Sequence, residues 1–268
     1  MTSDGVLSSV TVQGEGRTLV LLHGGPGLVD YMGLLDSETE GWRRVRYQQR
    51  GHPPSAVSGP FTVQQHLDDL ISVLDGVGTE RCVVLGHSWG GHLALQAALA
   101  VPGRIDGVLL VDPFGSVADG GAIAMAETLA ARLLPHSRQR AAEVGEQIAA
   151  GNHSNELGTE FLALQWPGYF TDPEHAPPLP PGLSLNLTCN GETMASVFDE
   201  LQSGFAERLG DCEPPVELIV GQGSPIPFAV SEQTAALLPN SRLTITPDAG
   251  HLPWHERPGC VRAALARL

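Results

Sequence analysis

Short runs of almost uninterrupted apolar residues, at 18–22, 82–85, 107–111 and 216–220, are separated by stretches whose apolar residues recur at helical spacing. A strand that shows no polar alternation is buried on both faces, and the helices between such strands supply the cover. The pattern therefore predicts an α/β fold with a mostly parallel central sheet flanked by helices. Further strands are expected at 6–12, where apolar residues alternate, at 45–47 and at 242–246. Between 62 and 74, Val63, Leu67, Leu70, Ile71 and Leu74 form one helical stripe behind Thr62, a suitable N-cap. Other helices are expected at 90–100, 230–238 and from about residue 258.

The rhythm breaks after Asp112. Helix-like segments at 122–134, 137–150, 155–166 and 192–209, with a proline-rich loop at 173–181, replace the strands. The expected organisation is one core, 1–112 with 213–268, interrupted by a helical cap at 113–212. A chain of 268 residues with 42% hydrophobic residues is about the size of one such domain, and no window reaches the apolar length of a membrane span. Residues 1–12 lack a basic start and a long apolar run, so no signal peptide and a cytoplasmic location are expected. Cys82, Cys189, Cys212 and Cys260 are scattered without metal-like spacing and read as free thiols. A net charge of −15 argues against nucleic acid or an anionic membrane as partner. The oligomeric state is open, and no motif for a metal or an organic cofactor is present.

Chemistry concentrates at the ends of the predicted strands. Gly86-His87-Ser88-Trp89-Gly90 lies directly between the strand at 82–85 and a helix. Small residues two positions either side of Ser88 permit the sharp strand-to-helix turn that lifts a nucleophilic hydroxyl above a sheet. His23-Gly24-Gly25-Pro26-Gly27 ends another strand, where bare amides can point at a developing oxyanion. Gly25 is one candidate donor and Trp89, the residue after the serine at a helix start, is the other. Of ten histidines, His251 alone sits in a loop after the final strand, downstream of the serine as a Ser-acid-His order requires.

These segments, with Tyr47-Gln48-Gln49-Arg50-Gly51, resemble the α/β-hydrolase superfamily, and within it the lid-bearing proline iminopeptidase-like and esterase-like branch. The resemblance implies an eight-stranded type of sheet with a helical cap after the strand ending at Asp112. It also implies an acid a few residues past the next-to-last strand, yet that stretch reads Gly221-Gln222-Gly223-Ser224-Pro225. Ser224 can hydrogen-bond but cannot stabilise an imidazolium by charge, a loss of about four orders of magnitude in turnover. Some relatives carry the acid at the end of the preceding strand, which here is Asp112. An aspartate before Pro113 is also a good turn former. Glu217 and Asp248 are poorly placed to reach the imidazole from behind. Arg50 reads as a structural tie through its guanidinium fork.

Within the cap, Trp166, Tyr169, Phe170 and Phe198 are candidates for lining an acyl or leaving-group pocket, or for plain packing. Glu156, Glu160, Glu192 and Glu200 could bind a substrate amine or be solvated helix faces. The expected activity is hydrolysis of an ester, lactone or thioester of a small carbonyl substrate through an acyl-enzyme on Ser88, with His251 as base and Asp112 as acid. Aminopeptidase activity, acyl transfer or cyclisation, and a non-catalytic binding protein are the alternatives.

Overall fold

The computed structural model describes residues 9–268. The start of the expected first strand, and the reading of the opening residues as free of a leader, lie outside them. The described residues form β1 (Val10–Gln13), β2 (Thr18–Leu22), β3 (Arg43–Tyr47), α1 (Val63–Gly76), β4 (Cys82–His87), α2 (Trp89–Ala100) and β5 (Ile105–Val111). Five helices follow: α3 (Ala122–Ala131), α4 (Arg138–Ala149), α5 (Asn155–Gln165), α6 (Leu187–Gln202) and α7 (Phe205–Arg208). The chain then returns to β6 (Val216–Gly221), α8 (Phe228–Leu237), β7 (Ser241–Thr246), α9 (Pro253–Glu256) and α10 (Cys260–Leu265).

One sheet results, in the order β1-β3-β2-β4-β5-β6-β7. Only β1 runs antiparallel, against β3; the remaining pairings are parallel. The described residues thus hold seven strands where the resemblance implied eight. Alternate residues of each central strand feed two separate cores. Val20, Leu22, Val84, Val108 and Leu110 pack beneath α1 and α2. Leu19, Leu21, Leu85, Leu109 and Val111 pack beneath α10 and the chain around Trp166 and Phe170. This two-sided burial is why the strands read as continuous apolar runs.

Local chemistry sets the helix ends. The Thr62 hydroxyl accepts from the Gln65 amide at 3.2 Å and starts α1. Asn186 caps α6 by accepting from Cys189 N at 3.0 Å, so the helix begins before residue 192. The single helix expected over 192–209 is interrupted by Gly204 at φ +91°, which separates α6 from α7. All four cysteines are free thiols. No helix of the described residues is long and apolar enough to cross a membrane.

Candidate active site

Because β2, β4, β5, β6 and β7 are parallel, their carboxyl ends meet along one edge of the sheet. That edge collects the Gly24-Gly25 loop, Ser88, Asp112, Ser224 and the loop bearing His251, each from a different strand. Crevices outside the carboxyl ends of parallel strands are the usual place for ligands in open α/β sheets.

Ser88 follows β4 with φ +54° and ψ −121°, a conformation that L-residues rarely adopt. Its neighbours make the turn possible. A Cβ on Gly86 would lie 2.1 Å from Gly90 O, and one on Gly90 would lie 2.3 Å from Leu22 O. The amide of Ser88 donates to Val111 O at 3.0 Å, tying the turn to the end of β5. Trp89 is the first residue of α2, so its amide is one of the helix's unpaired initial donors.

Asp112 also has a positive φ, +44°. Its carboxylate accepts from three directions. Gly221 N donates to Oδ1 at 2.9 Å, while Ser224 Oγ at 2.5 Å and His251 Nδ1 at 2.5 Å both reach Oδ2. Asp112 and His251 are 2% and 4% exposed. A carboxylate so removed from water is tolerated only when its oxygens are satisfied, as they are here. A carboxylate only accepts, so Nδ1 of His251 carries the proton and Nε2 is left as the basic nitrogen. Asp112, which the sequence offered as acid or as turn former, thus contacts the imidazole directly. Glu217 and Asp248 do not, being engaged by Arg267 at 2.6 Å and by Arg257 respectively.

The glycine loop is held in part by Tyr31, His87 and Gln49, to which the sequence assigned no role. Gly25, at φ +54°, lines a cavity with Ser88 and His251. The next amide back, Gly24 N, donates to the Tyr31 hydroxyl at 2.8 Å. That hydroxyl also contacts His87 Nδ1, and His87 Nε2 lies 2.8 Å from the carbonyl oxygen of His251. A carbonyl accepts only, so Nε2 of His87 carries the proton and Tyr31 donates to Nδ1. Burial holds His87 well below the usual histidine range, so it stays neutral. Gln49 completes the bracket: its Nε2 donates to His23 O at 3.0 Å and its Oε1 accepts from the Trp89 indole at 2.9 Å. The Gln48-Gln49-Arg50 segment thus fastens the glycine loop to the serine turn. Arg50 is wholly buried and pairs with Asp69 at 2.7 Å, the structural tie its sequence context suggested.

Above the strand ends the helices between β5 and β6 enclose a cavity of about 270 Å³. From α3, Ala122, Met125, Ala126 and Leu129 face it in an i, i+3, i+4, i+7 stripe. Trp166 and Tyr169 line it, as the sequence suggested, and the Tyr169 ring stacks on His251 at 5.2 Å. Phe198 does not. It lies four residues past the cavity-lining Met194 and packs, with that methionine, against the core under α1 and α2. Phe170 is likewise a core residue. Glu156, Glu160, Glu192 and Glu200 are absent from the lining, which contains no acidic or basic side chain beyond His87 and His251. Glu160 is engaged by Arg140 at 2.6 Å and Glu200 by Arg208 at 3.4 Å. No group of three or more His, Cys, Asp or Glu side chains among the described residues is arranged to hold a metal ion.

The backbone of this helical segment also grips the site. His251 N donates to Tyr169 O at 2.8 Å, and Arg132 Nη1 donates to Gly168 O at 3.0 Å and Gly223 O at 2.9 Å. Glu256 accepts from Gly250 N at 2.6 Å and Thr171 N at 2.9 Å.

Known proteins share this fold. The chain is 24% identical over 265 residues to a putative 2-succinyl-6-hydroxy-2,4-cyclohexadiene-1-carboxylate synthase of Bacillus subtilis, covering 96% of this chain and 92% of that protein. Among solved structures, a thermophilic esterase from Thermogutta terrifontis superposes with a TM-score of 0.69 at 21% identity, over 97% of this chain and 92% of the esterase. Proline iminopeptidase from Mycobacterium smegmatis superposes with a TM-score of 0.66 at 21% identity, over 97% and 93% of the two chains. At these identities the solved structures speak to the fold. A family model described as the alpha/beta hydrolase family matches residues 19–264, and the chain belongs to that family.

Proposed function

We propose that this protein is a serine hydrolase that cleaves an ester-type bond (ester, lactone or thioester) of an uncharged small molecule through an acyl-enzyme on Ser88. The observation that carries the reading is the buried contact of Asp112 with His251 Nδ1, which leaves Nε2 as the basic nitrogen of a residue lining the same cavity as Ser88, a serine on a strained turn. His251 takes the Ser88 proton as the hydroxyl attacks the carbonyl carbon. The Gly25 and Trp89 amides receive the oxyanion. His251 then passes its proton to the departing alcohol or thiol, and water, activated by the same imidazole, releases the acid. The reaction as written uses no cofactor, and residues 113–212 act as the cap over the substrate.

The uncharged lining favours an ester over an amino-acyl amide. A substrate ammonium would lose its hydration in the cavity with no carboxylate to replace it. Acyl transfer or cyclisation would use the same residues and is told apart by its products.

The test is a fluorophosphonate labelling experiment followed by burst and steady-state hydrolysis of a p-nitrophenyl ester panel. We expect modification of Ser88, a burst with the wild type, and loss of both in Ser88→Ala. Intact protein that neither labels nor turns over any ester would make the chain a binding protein with a hydrolase fold. Faster cleavage of amino-acyl amides than of neutral esters would replace the esterase reading with an aminopeptidase.

A further inference from the structure

Ser224 stands where the resemblance implied an acid, but its contacts give it a different task. Its hydroxyl oxygen accepts from Ile226 N at 3.1 Å, and its own amide donates to Gly221 O at 3.1 Å, so a tight turn past β6 fixes the side chain. The one hydroxyl proton then has the Asp112 carboxylate as acceptor, 2.5 Å away. It goes to Oδ2, the same oxygen that meets His251 Nδ1, while Oδ1 is held by Gly221 N. Two protons therefore share one carboxylate oxygen, and the amide anchors of the arrangement come from the end of β6 and the turn that follows it.

This has two physical consequences. The carboxylate, clamped at both oxygens, cannot rotate away from the imidazole. A hydrogen bond donated to an anion also draws off part of its charge, which weakens the hold of Oδ2 on the imidazolium that forms during the reaction. We propose that Ser224 is a positioning residue for Asp112: it aims the carboxylate oxygen at His251 and sets how strongly that oxygen retains the imidazolium proton. The proposal rests on the reading of Ser88, His251 and Asp112 as the reacting set.

Other titratable groups face the pair and define the background. His87 lies beside His251 with ring centroids 4.7 Å apart, Tyr169 stacks on it from the helical segment, and Glu256 on α9 binds the preceding Gly250 amide. His255 on α9 interacts electrostatically with His87, and Arg132, just past α3, bonds to Gly223 O beside the serine. None of these donates to the Asp112 carboxylate among the described contacts, so the Ser224 hydroxyl can be removed without altering their partners.

The experiment measures the rate of Ser88 labelling by a fluorophosphonate between pH 5 and 9, a readout that needs no knowledge of the natural substrate. Wild type, Ser224→Ala, Ser224→Thr, Asp112→Asn and the Asp112→Asn/Ser224→Ala double variant are compared, each with its melting temperature. In Ser224→Ala the plateau rate is expected to fall roughly tenfold, the effect of losing one hydrogen bond to a charged group. Its acid limb should move up by roughly half a pH unit, because the undiluted carboxylate holds the imidazolium proton more tightly. Ser224→Thr keeps the hydroxyl and should restore both. In the Asp112→Asn background the alanine should change neither, since its action runs through the carboxylate.

An unchanged rate and acid limb in Ser224→Ala overturns the proposal. So does an equal loss from the alanine in both backgrounds, which would mark Ser224 as a turn residue only. Failure of Ser224→Thr to recover the rate at a wild-type melting temperature also counts against it. Labelling of Asp112→Asn as fast as wild type is a different result: it removes Asp112 as the acid, whatever Ser224 does.

Discussion

Two residues of the candidate site, Ser88 and Asp112, hold positive φ without being glycine, a strain of the kind that clusters at functional sites. Asp112→Asn keeps the size of the side chain but not its charge, and hydrolysis of a p-nitrophenyl ester is expected to drop by about four orders of magnitude. Gly86→Ala tests the turn rather than the chemistry. Its methyl would meet the Gly90 carbonyl at 2.1 Å, so the variant should lose stability by about 1–3 kcal/mol or more, read as a lower urea midpoint. A variant as stable as wild type would mean that the turn is not confined as described. Ser88 and His251 were legible in sequence because glycine spacing and strand-helix context are local signals. Asp112 was legible only as one option, since Leu110-Val111-Asp112-Pro113 reads equally as a turn. What singled it out was its contact with His251, which arrives from 139 positions away, a fact of sheet order. Tyr31 carried no signal, and His87 and Gln49 stood in quoted motifs without a role, because what they do is hydrogen-bond across the same sheet edge.

At the scale of elements, the loop after β7 and the chain between α5 and α6 behave as one unit. Glu256 on α9 joins them through Gly250 N and Thr171 N. Glu256→Ala should therefore lower kcat on a neutral ester with little change in KM, and the amides of Gly250 and Thr171 should exchange faster with deuterium. Exchange confined to α9 would show that the two segments are held independently. The helices of this region were visible from their periodicity, but the face of α3 that meets the cavity, Ala122, Met125, Ala126 and Leu129, was not singled out. The opposite face of α3 is also rich in apolar residues. Phe198 was misassigned for a related reason: an aromatic on the correct stripe of α6 lies one turn too far along the axis to meet the cavity.

Across the whole molecule, burial lowers the proton affinity of His23, His66, His87 and His92. Each is kept neutral in the folded chain but takes up a proton in the unfolded chain once the pH drops below about 6.5. The unfolded state then binds more protons, so stability is fully present above that value and declines as the pH falls through it. The urea midpoint should be lower at pH 5.5 than at pH 7.5. His92→Gln, which removes one of these imidazoles, should flatten the difference. Equal midpoints in wild type would show that the four imidazoles are protonated without penalty. The parallel sheet itself was the most legible feature, since two-sided burial writes itself into sequence as unbroken apolar runs. The direction of the edge strand β1 and the strand order were not, for neither leaves a trace in periodicity.

The hydrogen bond from His251 N to Tyr169 O has a consequence for how such proteins diversify. His251 is steadied by the main chain of the very segment that encloses the cavity, so exchanging that segment for another would also alter the grip on the imidazole. A chimaera built to change selectivity in this chain is thereby a kinetic variant as well, and a truncated one, stripped of residues 113–212, would forfeit an anchor of its machinery rather than gain an open door.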